Sequence, residues 1–314
     1  MLNSQIRHQS EARNPKARSA GLASPVIRIW DLFRCSSSGI RVCIVAAHPD
    51  DEVIGAGAQL RRWPQAQFIH VTDGAPRDLR DAQAAGCASH QEYAQVRRRE
   101  LMAATSLAGI TPNQLHELAF ADQEASLWLV ELVESLLNLL SRLGPEVVLT
   151  HPYEGGHPDH DATAFAVQLA CNWLENQTGK APFRLEMSSY HSHAGMMVTG
   201  EFLPCANHCP ARLELTEAER ALKQRMFDCF VSQRKVLGCF RIARESFRAA
   251  PQYDFTRPPH EGALYYEQFE WGMTGERWRE LAGHALRDLG CLMERGRLPP
   301  HVPGFTRTKA APLR

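Results

Sequence analysis

Two apolar periodicities alternate along the first half of the chain. Short β-branched runs stand at residues 41–47 (RVCIVAA), 68–72 (FIHVT), 115–120 and 146–150 (EVVLT). Runs of this length and composition predict strands, and the first and last have the character of strands buried on both faces. Stretches with apolar residues at helical spacing separate them. Residues 53–63 read as a helix stopped by Pro64, 92–108 as one closed by Gly109, 125–143 as one ended by Gly144-Pro145, and 161–174 as a fourth. Asp73-Gly74 reads as the end of the second strand. Alternating strands and helices from residue 40 onward predict an α/β fold, a mostly parallel sheet with helices on both faces.

The second half is less regular and predicts an α+β part. Residues 183–189, 196–202 and 263–269 have strand character. Thr216-Glu217-Ala218-Glu219 is a capping-box sequence that opens a helix reaching 237, and 274–294 reads as a last helix. The expected organisation is a disordered tail over 1–38, one domain over 39–297 and a flexible tail over 298–314.

Composition narrows the function classes. Basic and acidic side chains balance at 35 each, so no general electrostatic attraction to nucleic acid or an acidic membrane is expected. Nine cysteines, an odd number at irregular spacing and several inside apolar runs, suit reduced thiols and a cytoplasmic setting. No apolar stretch approaches the ~20 residues of a membrane span, and the first residues lack the apolar core of a signal peptide. A homo-oligomer is left open.

Two motifs carry candidate chemistry. Ala47-His48-Pro49-Asp50-Asp51-Glu52 follows the first strand directly. A turn there sets His48 and Asp51 on one side, an imidazole and a carboxylate of the kind that bind zinc, with Asp50 pointing elsewhere in the same pocket. Gly156-His157-Pro158-Asp159-His160 follows the fourth strand. Pro158 suits a first helical position, which puts His157 at the cap and His160 in the first turn. Open α/β sheets bind ligands at the carboxyl ends of their strands, so two such clusters at two strand ends converge on one site. Either motif alone reads as a surface turn or a solvated helix start. Their repetition at two strand-to-helix junctions is what a turn composition does not explain.

At these residues the chain resembles the PIG-L/LmbE-like zinc deacetylases, enzymes that remove N-acetyl groups from N-acetylglucosamine-type sugars. The resemblance implies a Rossmann-like sandwich and a metal triad of His48, Asp51 and His160 holding Zn2+, with Fe2+ as the alternative. It assigns Asp50 as general base and His157 as the group that stabilises the oxyanion and protonates the amine. Asp159 becomes a partner orienting a histidine, and Arg97 of Arg97-Arg98-Arg99-Glu100-Leu101 a substrate-binding residue. Ser232-Gln233 and Tyr266-Glu267-Gln268-Phe269 are weaker similarities, and Gly155 stands where some relatives have a tyrosine. The substrate class implied is a small-molecule acetamido-sugar conjugate, with selectivity from the polar, poorly periodic segments 73–90 and 191–209. Two alternatives remain: an amidohydrolase for a non-sugar acetamide or amide conjugate, and a catalytically inactive metal-binding module.

Two other features point to bland roles. Cys205-Ala206-Asn207-His208-Cys209 lacks a second ligand pair and reads as an ordinary loop. Gly55-Ala56-Gly57-Ala58 lacks the third glycine of a dinucleotide fingerprint and reads as tight packing of a helix on the sheet.

Overall fold

The computed structural model describes Phe33 and residues 39–294. The two expected tails therefore fall, Phe33 apart, outside the described residues. The strands are β1 (Val42–Ala46), β2 (Gln67–Pro76), β3 (Leu115–Asp122), β4 (Val147–Thr150), β5 (Phe183–Met187), β6 (Tyr190–His193), β7 (Met196–Thr199), β8 (Ala211–Glu214) and β9 (Arg244–Ala249). The helices are α1 (Asp51–Ala56), α2 (Arg80–Ala84), α3 (His90–Ser106), α4 (Leu129–Leu143), α5 (Pro158–Thr178), α6 (Glu217–Cys229), α7 (Arg234–Leu237) and α8 (Gly275–Glu294).

β1 shows how the sequence builds the sandwich. All five of its residues are buried. Cys43 and Val45 enter one core with α4, α5 and α8, while Val42, Ile44 and Ala46 enter the other with α1, α3 and α6. This two-residue period is the signature of a strand covered on both faces. On α4, Leu132, Val133, Leu136 and Leu140 recur at helical spacing and point into the first core, each such burial contributing about 1.5–3 kcal/mol.

The main sheet has seven strands in the order β3-β2-β1-β4-β5-β9-β8, and β6 pairs with β7 as a separate hairpin. β1 runs parallel to both β2 and β4, and β5 joins β4 in parallel. β9 and β8 complete the edge antiparallel. The strand order reverses between β1 and β4, so the chain leaves their carboxyl ends in opposite directions and opens a crevice there. The α/β expectation holds, and the antiparallel edge with its hairpin is the α+β part.

Several expected elements differ. The helix expected over 53–63 is a short α1, and a separate 3-10 turn follows at Leu60–Arg62. Its continuation would need the Ala58 N–H to bond the Ile54 carbonyl. Instead Ala58 N–H donates to Glu245 Oε1 (2.9 Å) and Lys223 Nζ donates to the Ile54 carbonyl (2.7 Å), while Lys223 and Glu245 pair at 2.8 Å. A buried ion pair thus occupies both halves of the missing helical bond. Gly55 packs as expected, since a Cβ there would stand 2.5 Å from the Met187 sulfur of β5.

β2 does not end at Asp73-Gly74 but runs on to Pro76, with register irregularities against β3 and a positive φ of 66° at Gly74. The helix opened by the Thr216 capping box is broken at Phe230, whose backbone leaves the helical region. The strand expected over 263–269 is a 3-10 turn, Tyr265–Gln268, capped by the Glu267 carboxylate on the Leu264 N–H. β6, β8 and β9 had no sequence expectation.

The Lys223–Glu245 pair fixes where α1 stops, and α1 begins inside the crevice. Removing one partner of a buried pair costs about 3–5 kcal/mol. Lys223→Ala should lower the unfolding free energy by that amount in urea titrations. A change under about 1 kcal/mol would show that the pair merely accompanies the end of the helix.

Candidate metal centre

The two motifs meet at the reversal point. His48 leaves β1, and its own N–H donates to Asp51 Oδ2 (2.8 Å), which closes the turn into α1. His157 is the N-cap of α5, Pro158 follows at the first helical position, and His160 lies in the first turn. Gly156 is obligatory between them, because a Cβ there would collide with the Tyr190 carbonyl of β6. Across the crevice His48 Nδ1 lies 3.2 Å from Asp51 Oδ2 and 3.3 Å from His160 Nε2. His160 Nε2 is also 3.2 Å from Asp51 Oδ1. All three residues are buried.

The far side of His48 fixes its tautomer. Nε2 lies 3.3 Å from Asp159 Oδ2 and 3.1 Å from Asp122 Oδ1. Two carboxylates there favour a proton on Nε2, so Nδ1, which faces Asp51 and His160, is the nitrogen a metal would take in place of a proton. Burial opposes a charged His48, but Asp122, Asp159 and Asp51 outweigh it and raise its pKa well above the usual histidine value. Asp159 is itself held by Ala125 N–H (3.0 Å) and Gln123 N–H (2.6 Å). Burial raises its carboxyl to about 6 against the pull of His48. Burial also disfavours ionised Asp51, but His160 and His151 outweigh it and hold that carboxyl well below its ordinary range. His160 is pushed down to about 4, chiefly by burial, with Asp51 opposing.

His157 takes a different role from His160. Its Nδ1 accepts the Asp159 N–H (3.1 Å), so its proton resides on Nε2, 3.8 Å from Asp122 Oδ1. Burial and the neighbouring His48 lower its pKa well below 6.5, which favours a neutral Nε2–H donor.

Asp50 points away from this triad, into a buried ion pair with Arg97 Nη2 (3.1 Å). Arg97 Nε donates to the Gly74 carbonyl, and Nη1 is buried without a partner. Gly74 makes room for this, because a Cβ there would stand 2.8 Å from Arg97 Nε and 2.7 Å from Pro49 Cδ. Burial pushes the Asp50 carboxyl up to about 7, although Arg97 and His48 act to lower it.

Two groups of ligand atoms lie close enough to share an ion: His48, Asp51 and His160, and a second set of His48, Asp122, His157 and Asp159. The first presents two imidazole nitrogens and a carboxylate whose lone pairs converge, a donor set that fits zinc or iron(II). The second sets His48 Nε2 among the carboxylates of Asp122 and Asp159, which favour a proton there over an ion.

Two site residues had no sequence expectation. Asp122 ends β3 two residues beyond the apolar run taken as that strand. His151 follows β4 and precedes a proline, as His48 does after β1, and that echo was its available signal. His151 Nε2 accepts the Ala47 N–H (3.0 Å), and its ring stacks on His160 at 4.0 Å, tying the two strand ends together. The weaker sequence similarities are supports. Glu100 accepts both the N–H and the hydroxyl of Ser232, and Gln233 donates to the Tyr93 hydroxyl. Among the described residues neither Cys205 nor Cys209 joins a metal-type group, and His208 bonds the Ala249 carbonyl.

The loop that carries His157 is anchored by a buried network. Glu154 Oε1 accepts from Arg248 Nη2 (3.0 Å) and from the Leu203 N–H (2.8 Å). Arg248 Nε also donates to Glu186 (2.7 Å), which accepts from the Tyr253 hydroxyl (2.6 Å). Burial raises Glu186 to about 7, with Arg248 and Tyr253 opposing.

Residues 43–171 match the family described as GlcNAc-PI de-N-acetylase (PIG-L). The chain is 29% identical over 207 residues to a 1D-myo-inositol 2-acetamido-2-deoxy-alpha-D-glucopyranoside deacetylase 2 of Catenulispora acidiphila, covering 59% of this chain and 66% of that one. It is 30% identical over 170 residues to the corresponding deacetylase of Salinispora arenicola, covering 46% and 54%. Both aligned stretches span less than two thirds of the relative's length. The fold is that of the zinc inhibited form of teicoplanin deacetylase Orf2, with a TM-score of 0.51 at 17% identity over 68% of this chain and 99% of that structure. Among the described residues no helix is long and apolar enough to cross a membrane.

The raised Glu186 carboxyl gives a stability prediction. Unfolded, the group titrates near 4.5; folded, near 7. Its contribution is therefore fully present below about pH 4.5 and lost as pH rises through 7, on the order of 3 kcal/mol in all. The difference in unfolding free energy between wild type and Glu186→Gln should shift in the variant's favour across that window. A difference that stays flat from pH 4.5 to 7 would show that Glu186 is ionised throughout.

Proposed function

From the match of residues 43–171 to the family described as GlcNAc-PI de-N-acetylase (PIG-L), we propose that the protein is a metal-dependent N-deacetylase of that family. Its substrate is an N-acetylglucosamine-type conjugate. The observation that carries this reading is the convergence of His48 Nδ1, His160 Nε2 and the Asp51 carboxylate beside a separate buried carboxylate, Asp50. The three convergent residues hold zinc, with iron(II) as the second choice. When bound, the metal supplies a Lewis acid that polarises an acetamide carbonyl and acidifies water.

The chain's own groups supply the proton handling. Asp50, with a carboxyl near neutrality, accepts the proton of the attacking water, as a general base working near pH 7 must. Arg97 holds that carboxylate in place, and its unpaired Nη1 is the one guanidinium nitrogen left for a substrate. His157 Nε2–H donates a hydrogen bond to the charge that develops on the acetamide oxygen, and the proton that Asp50 takes from water passes to the departing amine. Asp159 and Asp122 keep His48 in the tautomer that offers Nδ1 inward. A binding module without catalysis would need the ligands but neither Asp50 nor the His157 donor. All eight described cysteines are free, which supports a cytoplasmic setting.

Metal analysis and turnover test the assignments together. His160→Ala should lose the metal, and equal occupancy in wild type and variant would remove His160 from the triad. Asp50→Ala should keep the metal and lose about 10²–10⁴ in rate. Activity near wild type would refute the base assignment. His157→Ala should also keep the metal and fall mainly in kcat. Amine release from N-acetylglucosamine glycosides beside a non-sugar acetamide decides the substrate class, and preference for the latter would favour the amidohydrolase alternative.

A further inference from the structure

Tyr190, the first residue of β6, lies against the second motif. Its carbonyl fills the space a Gly156 side chain would need, and its ring meets His160 edge-on at 5.2 Å. His157 stands 5.4 Å from His160, so the phenol and the His157 ring flank the same imidazole. Phe240 at 5.8 Å and Tyr265 at 5.7 Å also meet the phenol edge-on. These contacts fix the ring and leave its one polar atom unused. Among the described residues nothing hydrogen-bonds the hydroxyl of this half-buried tyrosine. Tyrosine hydroxyls in such settings usually have a partner, so this donor is left for a ligand. Burial first, then the carboxylates of Asp51, Asp122 and Asp50, raise the phenol pKa well above its ordinary value, and the hydroxyl keeps its proton. All three carboxylates belong to the centre, and their joint action on one hydroxyl sets it over the crevice.

An acetamide oxygen that gains negative charge beside three carboxylates needs hydrogen-bond donors close to it. In a crevice poor in water each such donor is worth far more than in bulk solvent. His157 Nε2–H is one. We propose that the Tyr190 hydroxyl is a second, donating a hydrogen bond to the acetamide oxygen at the His48, Asp51 and His160 cluster as the tetrahedral intermediate forms. The phenol keeps its proton throughout, and the proton for the departing amine still comes from water through Asp50. The inference rests on the deacetylase reading and adds to it a catalytic residue outside both sequence motifs.

Tyr190→Phe removes the hydroxyl and keeps the ring against His160. In the metal-loaded full chain this variant should retain its metal content and melting temperature, lose about 10²-fold in kcat and leave KM nearly unchanged. A second readout needs no turnover. The methylphosphonamidate of methyl β-glucosaminide carries an anionic tetrahedral phosphorus in place of the reacting acetyl carbon, and methyl β-glucosaminide itself is the amine product. Tyr190→Phe should bind the analogue about tenfold more weakly and the amine as tightly as wild type does. An unchanged kcat, or a loss of affinity shared equally by analogue and amine, would overturn the role. Loss of the metal with the hydroxyl would do so too, by making Tyr190 a support of His160, as would failure of wild type to bind the analogue. The two readings fail separately. Amine release indifferent to the hydroxyl sinks this proposal alone. Hydroxyl-dependent binding of the analogue without any amine release refutes the deacetylase reading and leaves Tyr190 a donor to a tetrahedral anion.

Discussion

Two imidazole nitrogens 3.3 Å apart, each 3.2 Å from an oxygen of the same buried carboxylate, cannot stand as lone pairs alone. Something positive must lie among His48 Nδ1, His160 Nε2 and Asp51, either a shared proton or a metal ion. The surrounding groups point those lone pairs inward. Asp159 and Asp122 take the outer nitrogen of His48, and His151 stacks behind His160 while accepting an N–H from the end of β1. His157, one turn from His160 on the same helix, has its inner nitrogen committed to the α5 N-cap and so remains a donor. A separation of three residues thus divides a histidine whose Nε2 faces Asp51 from one whose Nδ1 is committed to the helix N-cap.

The fold makes this arrangement affordable. Parallel β1 and β4 end side by side, and the helices that follow them start in the same crevice with their positive ends toward the carboxylates. α1 carries Asp51 in its first turn and is stopped after six residues by the Lys223–Glu245 pair. Gly74 lets β2 bend past Pro49 so that Arg97 can reach Asp50, and Gly156 lets the second motif pass beneath β6. On the other side the Glu154–Arg248–Glu186 network pins the loop before His157 to β5 and β9. Each device is remote in sequence from the group it positions.

That remoteness explains what could be read from the sequence. The strand-to-helix junctions at His48 and His157 were legible because the local pattern of a buried strand, a proline and a capped helix is written in consecutive residues. The metal triad followed from ligand types and the resemblance. Asp122 was missed because β3 continues two residues past its apolar run, β8 because it is an antiparallel edge strand, and β9 because it buries the polar Glu245, Ser246 and Arg248 in place of an apolar run. The break in α1 is invisible locally, since it depends on Lys223 and Glu245 more than 160 residues away in the chain. Phe269 closes the segment expected as a strand, which forms a 3-10 turn instead, and Trp271 just beyond it packs on His157.

The most direct test of the account is the position of the ion itself. In crystals grown with one equivalent of zinc, anomalous difference density should fall among His48 Nδ1, Asp51 and His160 Nε2, at the ~2.0–2.2 Å ligand distances of zinc. Density on the opposite face of His48, among Nε2, Asp122 and Asp159, would contradict the tautomer assignment and the division of roles between His160 and His157 built on it.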